Sequence, residues 1–147
     1  MRTRLLIPII TTLLIAHLII PSYAGDKGGG VLEAKLREVI IENFAASQRK
    51  DMEGIKRTIH SQSPAYIASA QTLKQLFDYY DLKYELLSFR YIGADGEYAI
   101  ARGEQKTIKL KGPAFKDNVL DSIYIFRKEN GEWKLWQQAV LESRFIN

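Results

Sequence analysis

Apolar positions along the chain change period twice, and each change marks a different kind of element. Leu5 to Ile20 is an almost unbroken apolar run. From Val31 apolar residues return every fourth position, at Leu32, Leu36, Ile40 and Phe44 with Val39 beside them, while Glu33, Lys35, Arg37, Glu38 and Glu42 fill other positions. That spacing predicts an amphipathic helix of about 18 residues with one core-facing stripe. Asp51 is an N-cap candidate for a short second helix carrying Ile55 and Ile59, with Glu53 in its first turn. Ser61, Ser63 and Pro64 end it. Thr72-Leu73-Lys74-Gln75 reads as a capping box opening a third helix with Leu73, Leu76, Phe77 and Tyr80.

From Tyr84 the period becomes two. Tyr84 to Ile92 and Glu97 to Leu110 read as strands joined by the Gly93–Gly96 turn, with Gly103 a bulge candidate. Val119 to Lys128 and Glu132 to Phe145 form a hairpin around Asn130-Gly131, a pair suited to the positive backbone angles of a two-residue turn. Helices followed by an antiparallel meander predict an α+β domain with helices on one sheet face. Counting outward from that turn puts Leu120, Ser122, Tyr124 and Phe126 on one face with Trp133, Leu135, Gln137, Ala139 and Leu141. The other face holds Asp121, Ile123, Ile125 and Arg127 with Lys134, Trp136, Gln138 and Val140. Ile123, Ile125, Trp136 and Val140 then make an apolar patch on the face away from the helices, and a second subunit is the simplest cover. A homodimer is expected there.

The first run is a leader rather than a structural element. Arg2 and Arg4 precede it, and Pro21, Ser22, Tyr23 and Ala24 follow with small residues at the positions before a cut, so residues 1–24 read as a signal peptide. The run contains Pro8 and His17 and falls short of the about 20 apolar residues of a spanning helix. Cleavage near Ala24 predicts an exported protein, periplasmic or secreted, without stable membrane insertion. Residues 25–30 are glycine-rich and read as a flexible linker, leaving 31–147 as one domain.

The formal net charge of +4 falls to about +2 once Arg2 and Arg4 leave, and basic and acidic residues alternate along the rest. Such interleaving argues against a nucleic-acid surface. There is no cysteine, so disulfides, thiolate nucleophiles and thiolate metal sites are excluded. No glycine-rich phosphate loop, G-x-S-x-G elbow or H-E-x-x-H motif occurs, and neither a cofactor nor a metal is expected.

Two stretches resemble a known family. Arg49-Lys50-Asp51-Met52-Glu53-Gly54 after a long helix, followed by His60-Ser61-Gln62-Ser63-Pro64, is similar to the opening of nuclear transport factor 2-like (SnoaL-like, ketosteroid isomerase-like) domains. Phe126-Arg127-Lys128-Glu129-Asn130-Gly131-Glu132-Trp133-Lys134-Leu135-Trp136 resembles their final hairpin. The resemblance covers about Val31 to Phe145. It implies a cone in which a curved antiparallel sheet wraps three N-terminal helices, with a pocket at the open end and frequent dimerisation across the sheet. The superfamily includes isomerases, dehydratases, cyclases, hydrolases, immunity proteins and binding domains, so fold alone does not choose among them.

Five residues are pocket candidates: His60, Tyr80, Arg102, Tyr124 and Gln137. His60 is the one histidine left after leader removal, and is either a general base or a group that meets carbonyls at a helix end. Asp78 and Asp81 flank Tyr79 and Tyr80, and an isomerase-like site would need one acid kept dry enough to shift its pKa. Arg102 is either a pocket group favouring a carboxylate-bearing ligand or a solvated outward residue. Tyr124 and Gln137 are expected cross-strand partners facing the helices. Gln137 orients polar groups but transfers no proton near neutral pH. The pattern favours an exported small-ligand or protein-binding domain. The alternative is a cofactor-independent isomerase, dehydratase or hydrolase using the cone pocket.

Overall fold

The computed structural model describes residues 27–146. The expected leader, residues 1–24, lies outside them. Three helices, α1 (Lys27–Gln48), α2 (Met52–Thr58) and α3 (Pro64–Tyr79), precede four strands. These are β1 (Asp81–Asp95), β2 (Tyr98–Lys111), β3 (Asn118–Glu129) and β4 (Glu132–Phe145), paired antiparallel in the order β1-β2-β3-β4. The fold is α+β with a curved, unclosed sheet.

The four-residue spacing in α1 is its core stripe: Leu36, Ile40 and Phe44 are buried against Ala99 and Ala101 of β2 and Tyr124 and Phe126 of β3. The two alanines on β2 leave room for the larger side chains of helix and neighbouring strand. Full burial of a side chain such as Phe126 contributes about 1.5–3 kcal/mol. Helix α1 begins at Lys27, so Gly28 to Gly30 are helical rather than a linker. First-turn amides lack an intrahelical partner whatever the residue, so these glycines cost the helix mainly backbone entropy. α1 also caps the free edge of β1: the Tyr91 amide donates to Glu33 Oε2 at 2.9 Å and the Tyr84 amide to Gln48 Oε1 at 2.8 Å.

Asp51 caps α2, accepting from the Gly54 amide at 2.8 Å. Ile59, expected on that helix, lies just past it with extended backbone and bridges Leu135 in parallel. The His60 amide donates to the Leu135 carbonyl at 3.0 Å, so the exposed edge of β4 captures this segment. Helix α3 opens at Pro64 and not at Thr72. Proline suits the first helical position, and the next breaker comes only after the helix has ended, which leaves the Thr72–Gln75 pair inside it. Tyr80 falls just beyond the helix, its amide still bonded to the Leu76 carbonyl at 2.9 Å. Ala46, Ile55 and Ile59 form a second core with Met52, Tyr66, Leu73 and Phe77 around it.

The sheet curls because its outer strands carry extra residues. The register slips at Leu87 and Ile92 in β1, and at Trp136 and Leu141 in β4. Such bulges bend a strand and increase its twist. Gly103 is not itself bulged. It pairs with Phe89, two residues past the Leu87 slip, and an added Cβ there would come within 2.6 Å of the Ser88 carbonyl oxygen. The Asn130-Gly131 turn is a two-residue loop, with φ of 53° and 83° and Glu129 opposite Glu132. Among the described residues, no helix is long and apolar enough to cross a membrane.

Candidate functional site

The inner face of the sheet divides into two parts. Ala99, Ala101, Tyr124 and Phe126 meet α1. Farther along the same strands the buried inner positions turn polar, with Gly103 opposite Ser122 and Gln105 opposite Leu120. Ser122, Gln105 and Thr107 are all buried. Gln105 Nε2 donates to the Thr107 hydroxyl at 3.1 Å, and Gln138 Nε2 donates to the Ser122 hydroxyl at 3.0 Å. Tyr124 stands at the boundary, 1 % exposed. Its hydroxyl finds no hydrogen-bond partner among the described residues. A buried polar group left unpaired costs about 1–3 kcal/mol and calls for an explanation. Burial, and secondarily the charge of Asp121, pushes the Tyr124 phenol well above its ordinary range, so the hydroxyl is a neutral donor at any physiological pH.

The expected partner of Tyr124 is displaced by one residue. Trp136 is inserted between Leu135, which pairs with Phe126, and Gln137, which pairs with Ile125. Between that bulge and the second slip at Leu141, each β4 side chain changes face relative to a simple count from the turn. Gln138 therefore faces Tyr124, and Gln137 is exposed on the outer face. The same slip divides the four expected interface residues. Ile123 and Ile125 stay on the outer face, half-buried, while Val140 pairs with Ser122 and so leaves that face. Trp136 is engaged within the subunit, with the Arg127 guanidinium 4.9 Å from its ring centroid and the His60 ring edge-on at 5.0 Å.

The remaining pocket candidates do not converge on Tyr124. His60 is buried where α2 meets the β4 edge, its Nδ1 accepting from the Gln62 amide at 3.1 Å and lying 3.7 Å from Glu129 Oε1. Glu129 in turn accepts from the Ser61 hydroxyl and amide, and these bonds hold its carboxyl below the usual range. This is a junction that ties the α2–α3 connection to the last hairpin. Tyr80 packs on Phe115, with centroids 5.8 Å apart, and lines a recess with room for about one water. Arg102 lies on the outer face, where Nε donates to Asp121 Oδ1 at 2.9 Å and a second guanidinium nitrogen pairs with Oδ2. That fork is geometrically satisfied, and it holds Asp121 below the usual carboxylate range. Asp78 is exposed, and Asp81 is held low by a 2.7 Å contact with Lys50.

Chemically, among the described residues the inner face sets the unpaired Tyr124 hydroxyl between an apolar core and a few amide and hydroxyl groups. Proton transfer needs a group that changes charge near working pH within hydrogen-bond reach of the reacting atom, and the candidates for that role are spread over three separate places. Among the described residues, no group of three or more His, Asp or Glu side chains is close enough to hold a metal ion. Ser122, Gln105, Thr107 and Gln138 were not singled out by the sequence. Their signal was the run of polar residues at alternate positions in otherwise apolar strands.

Comparison with known proteins agrees with this architecture. The family model for the C-terminal domain of the anti-sigma-I factor RsgI9 matches residues 38–146. The chain belongs to this family. No curated protein matches it. Among solved structures, a candidate scytalone dehydratase from Novosphingobium aromaticivorans superposes with a TM-score of 0.64 at 12% identity, covering 82% of this chain and 91% of that one. The β subunit of the benzoate 1,2-dioxygenase from Burkholderia mallei superposes with a TM-score of 0.62 at 9% identity, over 73% and 87%. A nuclear transport factor 2-like protein with a cystatin-like fold from N. aromaticivorans gives 0.58 at 19%, over 77% and 85%. Likeness at these identities is a likeness of fold. This RsgI9 C-terminal-type domain therefore has the nuclear transport factor 2-like fold, which is shared by proteins of different activities.

Proposed function

We propose that the chain is an exported, non-catalytic binding domain that holds a small, largely apolar ligand inside the cone. The unpaired hydroxyl of buried Tyr124 carries this reading. Binding pockets are mostly apolar with a few placed polar groups that fix orientation. Here the phenol offers one proton to a ligand acceptor, such as a carbonyl or ether oxygen, with Gln138 and Ser122 beside it on the inner face. The scatter of His60, Arg102 and the acids argues against an isomerase or dehydratase. The match to a C-terminal domain of an anti-sigma factor favours sensing or binding over turnover. Export rests on the leader features of residues 1–24.

Native mass spectrometry of the protein from its host's exported fraction tests the reading. The expected spectrum shows a chain beginning near Gly25 with a small molecule bound one to one, and the Tyr124→Phe variant retains markedly less of it. A chain that carries nothing in the wild type and turns over enol- or alcohol-type substrates would overturn it.

A further inference from the structure

The two free edges of the sheet are treated differently. That of β1 is covered by α1 through Glu33 and Gln48. That of β4 is met by Ile59 and His60 at Leu135. Beyond Trp136, no backbone hydrogen bond reaches the outer edge of 137–145 from any described residue. The Ile146 amide turns inward to the Asp117 carbonyl at 3.0 Å, so by strand alternation the amides of Phe145 and Ser143 point outward. Along this open edge Val140, Leu141, Phe145 and Ile146 are 53%, 54%, 63% and 39% exposed. An open edge flanked by exposed apolar side chains is a template for another strand.

The sequence of the edge fits itself. Two copies run antiparallel about a two-fold axis at Ser143, in the regular stretch beyond the Leu141 bulge, place Glu142 opposite Arg144 twice. Opposite charges at directly opposed positions are favourable, and like charges there are not. By register with β3, Glu142 and Arg144 lie on the outer face with Asp121 and Val119, while Phe145 and Ser143 lie on the inner side with Asn118 and Leu120. Within one subunit Arg144 reaches Glu104 and stands 3.8 Å from Glu142, whose side chain is 61% exposed. Pairing would set Glu142 beside the second copy's Arg144 as well. The result is an isologous contact, which closes.

We infer that the chain forms a homodimer by antiparallel β4–β4 pairing centred on Ser143, joining two four-stranded sheets edge to edge. This goes beyond the binding reading and does not depend on which ligand is held.

The protein has no cysteine, so single-cysteine variants report contact cleanly. Ser143→Cys is expected to give a covalent dimer on mild oxidation or with a short bismaleimide, because a residue on the axis meets its own copy about 5.5 Å away between α-carbons. Ile123→Cys, on the outer face, is expected to stay monomeric under the same treatment. In sedimentation equilibrium Glu142→Arg is expected to weaken dimerisation at least tenfold, and the Glu142→Arg/Arg144→Glu exchange to restore most of it. A wild-type chain that is monomeric at high micromolar concentration overturns the inference, whether the edge is empty or covered by the N-terminal residues. Crosslinking through Ile123→Cys in place of Ser143→Cys overturns it in favour of a face-to-face dimer.

Discussion

Replacing Tyr124 with phenylalanine removes one oxygen atom and little else, and a buried oxygen without a partner among the described residues is unfavourable. The ring keeps its place in the core with Leu36, Ile40, Phe44 and Phe126. The residue is 1 % exposed, and its hydroxyl has no partner among the described residues. Deleting an unpaired buried hydroxyl recovers part of a desolvation penalty of about 1–3 kcal/mol. Ligand-free Tyr124→Phe is therefore expected to be more stable by about 1 kcal/mol, which for a domain of this size raises Tm by about 3–5 °C. Urea denaturation with an unchanged m-value is the assay, since a stable slope shows that the native and denatured states keep their compactness. The alkaline limb gives an independent check. Burial raises the folded phenol above the ordinary value of 10.0, so the unfolded chain releases this proton first and wild-type stability falls as pH rises above about 10. That part of the fall is absent from the variant. With ligand present the order reverses: one lost hydrogen bond of about 1 kcal/mol weakens retention by roughly five- to tenfold. A ligand-free variant less stable than wild type by 1 kcal/mol or more would show that the hydroxyl already has a partner in the protein, and the argument would fail.

Three further outcomes follow from packing and charge. Gly103→Ala is expected to destabilise by at least 1–2 kcal/mol in urea denaturation, because its Cβ would meet the Ser88 carbonyl at 2.6 Å and backbone must move. Gly54→Ala reverses the usual gain of alanine in a helix, since the new Cβ would sit 2.3 Å from the Asp51 carboxylate that caps α2 and 2.9 Å from the Ala46 methyl; thermal denaturation should show a lower Tm. Arg102 holds the Asp121 carboxyl below its ordinary 3.8, so the stability this pair contributes is present above about pH 4 and lost as pH falls further. Asp121→Asn should flatten the acid limb of the stability curve, and an unchanged limb would count against the pairing.

How far the sequence could be read depended on whether each signal was local. The Asn130-Gly131 turn, the Leu36–Ile40–Phe44 stripe and the Asp51 cap each arise within a few residues, and each stands where the pattern placed it. Ile59 left its helix because β4 offered a backbone partner 76 residues away in sequence, at Leu135, and nothing near Ile59 encodes that. The candidate site failed on one residue of register. Counting faces outward from the turn works as far as Leu135, then the Trp136 bulge exchanges Gln137 for Gln138 and removes Val140 from the outer face. Glycine often marks a bulge, and none is present here. Two bulky apolar residues in succession, Leu135-Trp136, were the available sign that both sides of the strand were wanted at once. Arg102 was settled by a partner across the sheet, Asp121, and His60 by the α2–β4 junction. Both contacts depend on the fold rather than on neighbours in the chain.

The most direct test is a crystal structure of the protein taken from its host without refolding. The account predicts density from a bound small molecule with an acceptor atom about 2.7 Å from the Tyr124 hydroxyl and no ionisable side chain in contact with the same atom. A Tyr124 hydroxyl bonded to a carboxylate or histidine of the chain itself would contradict it.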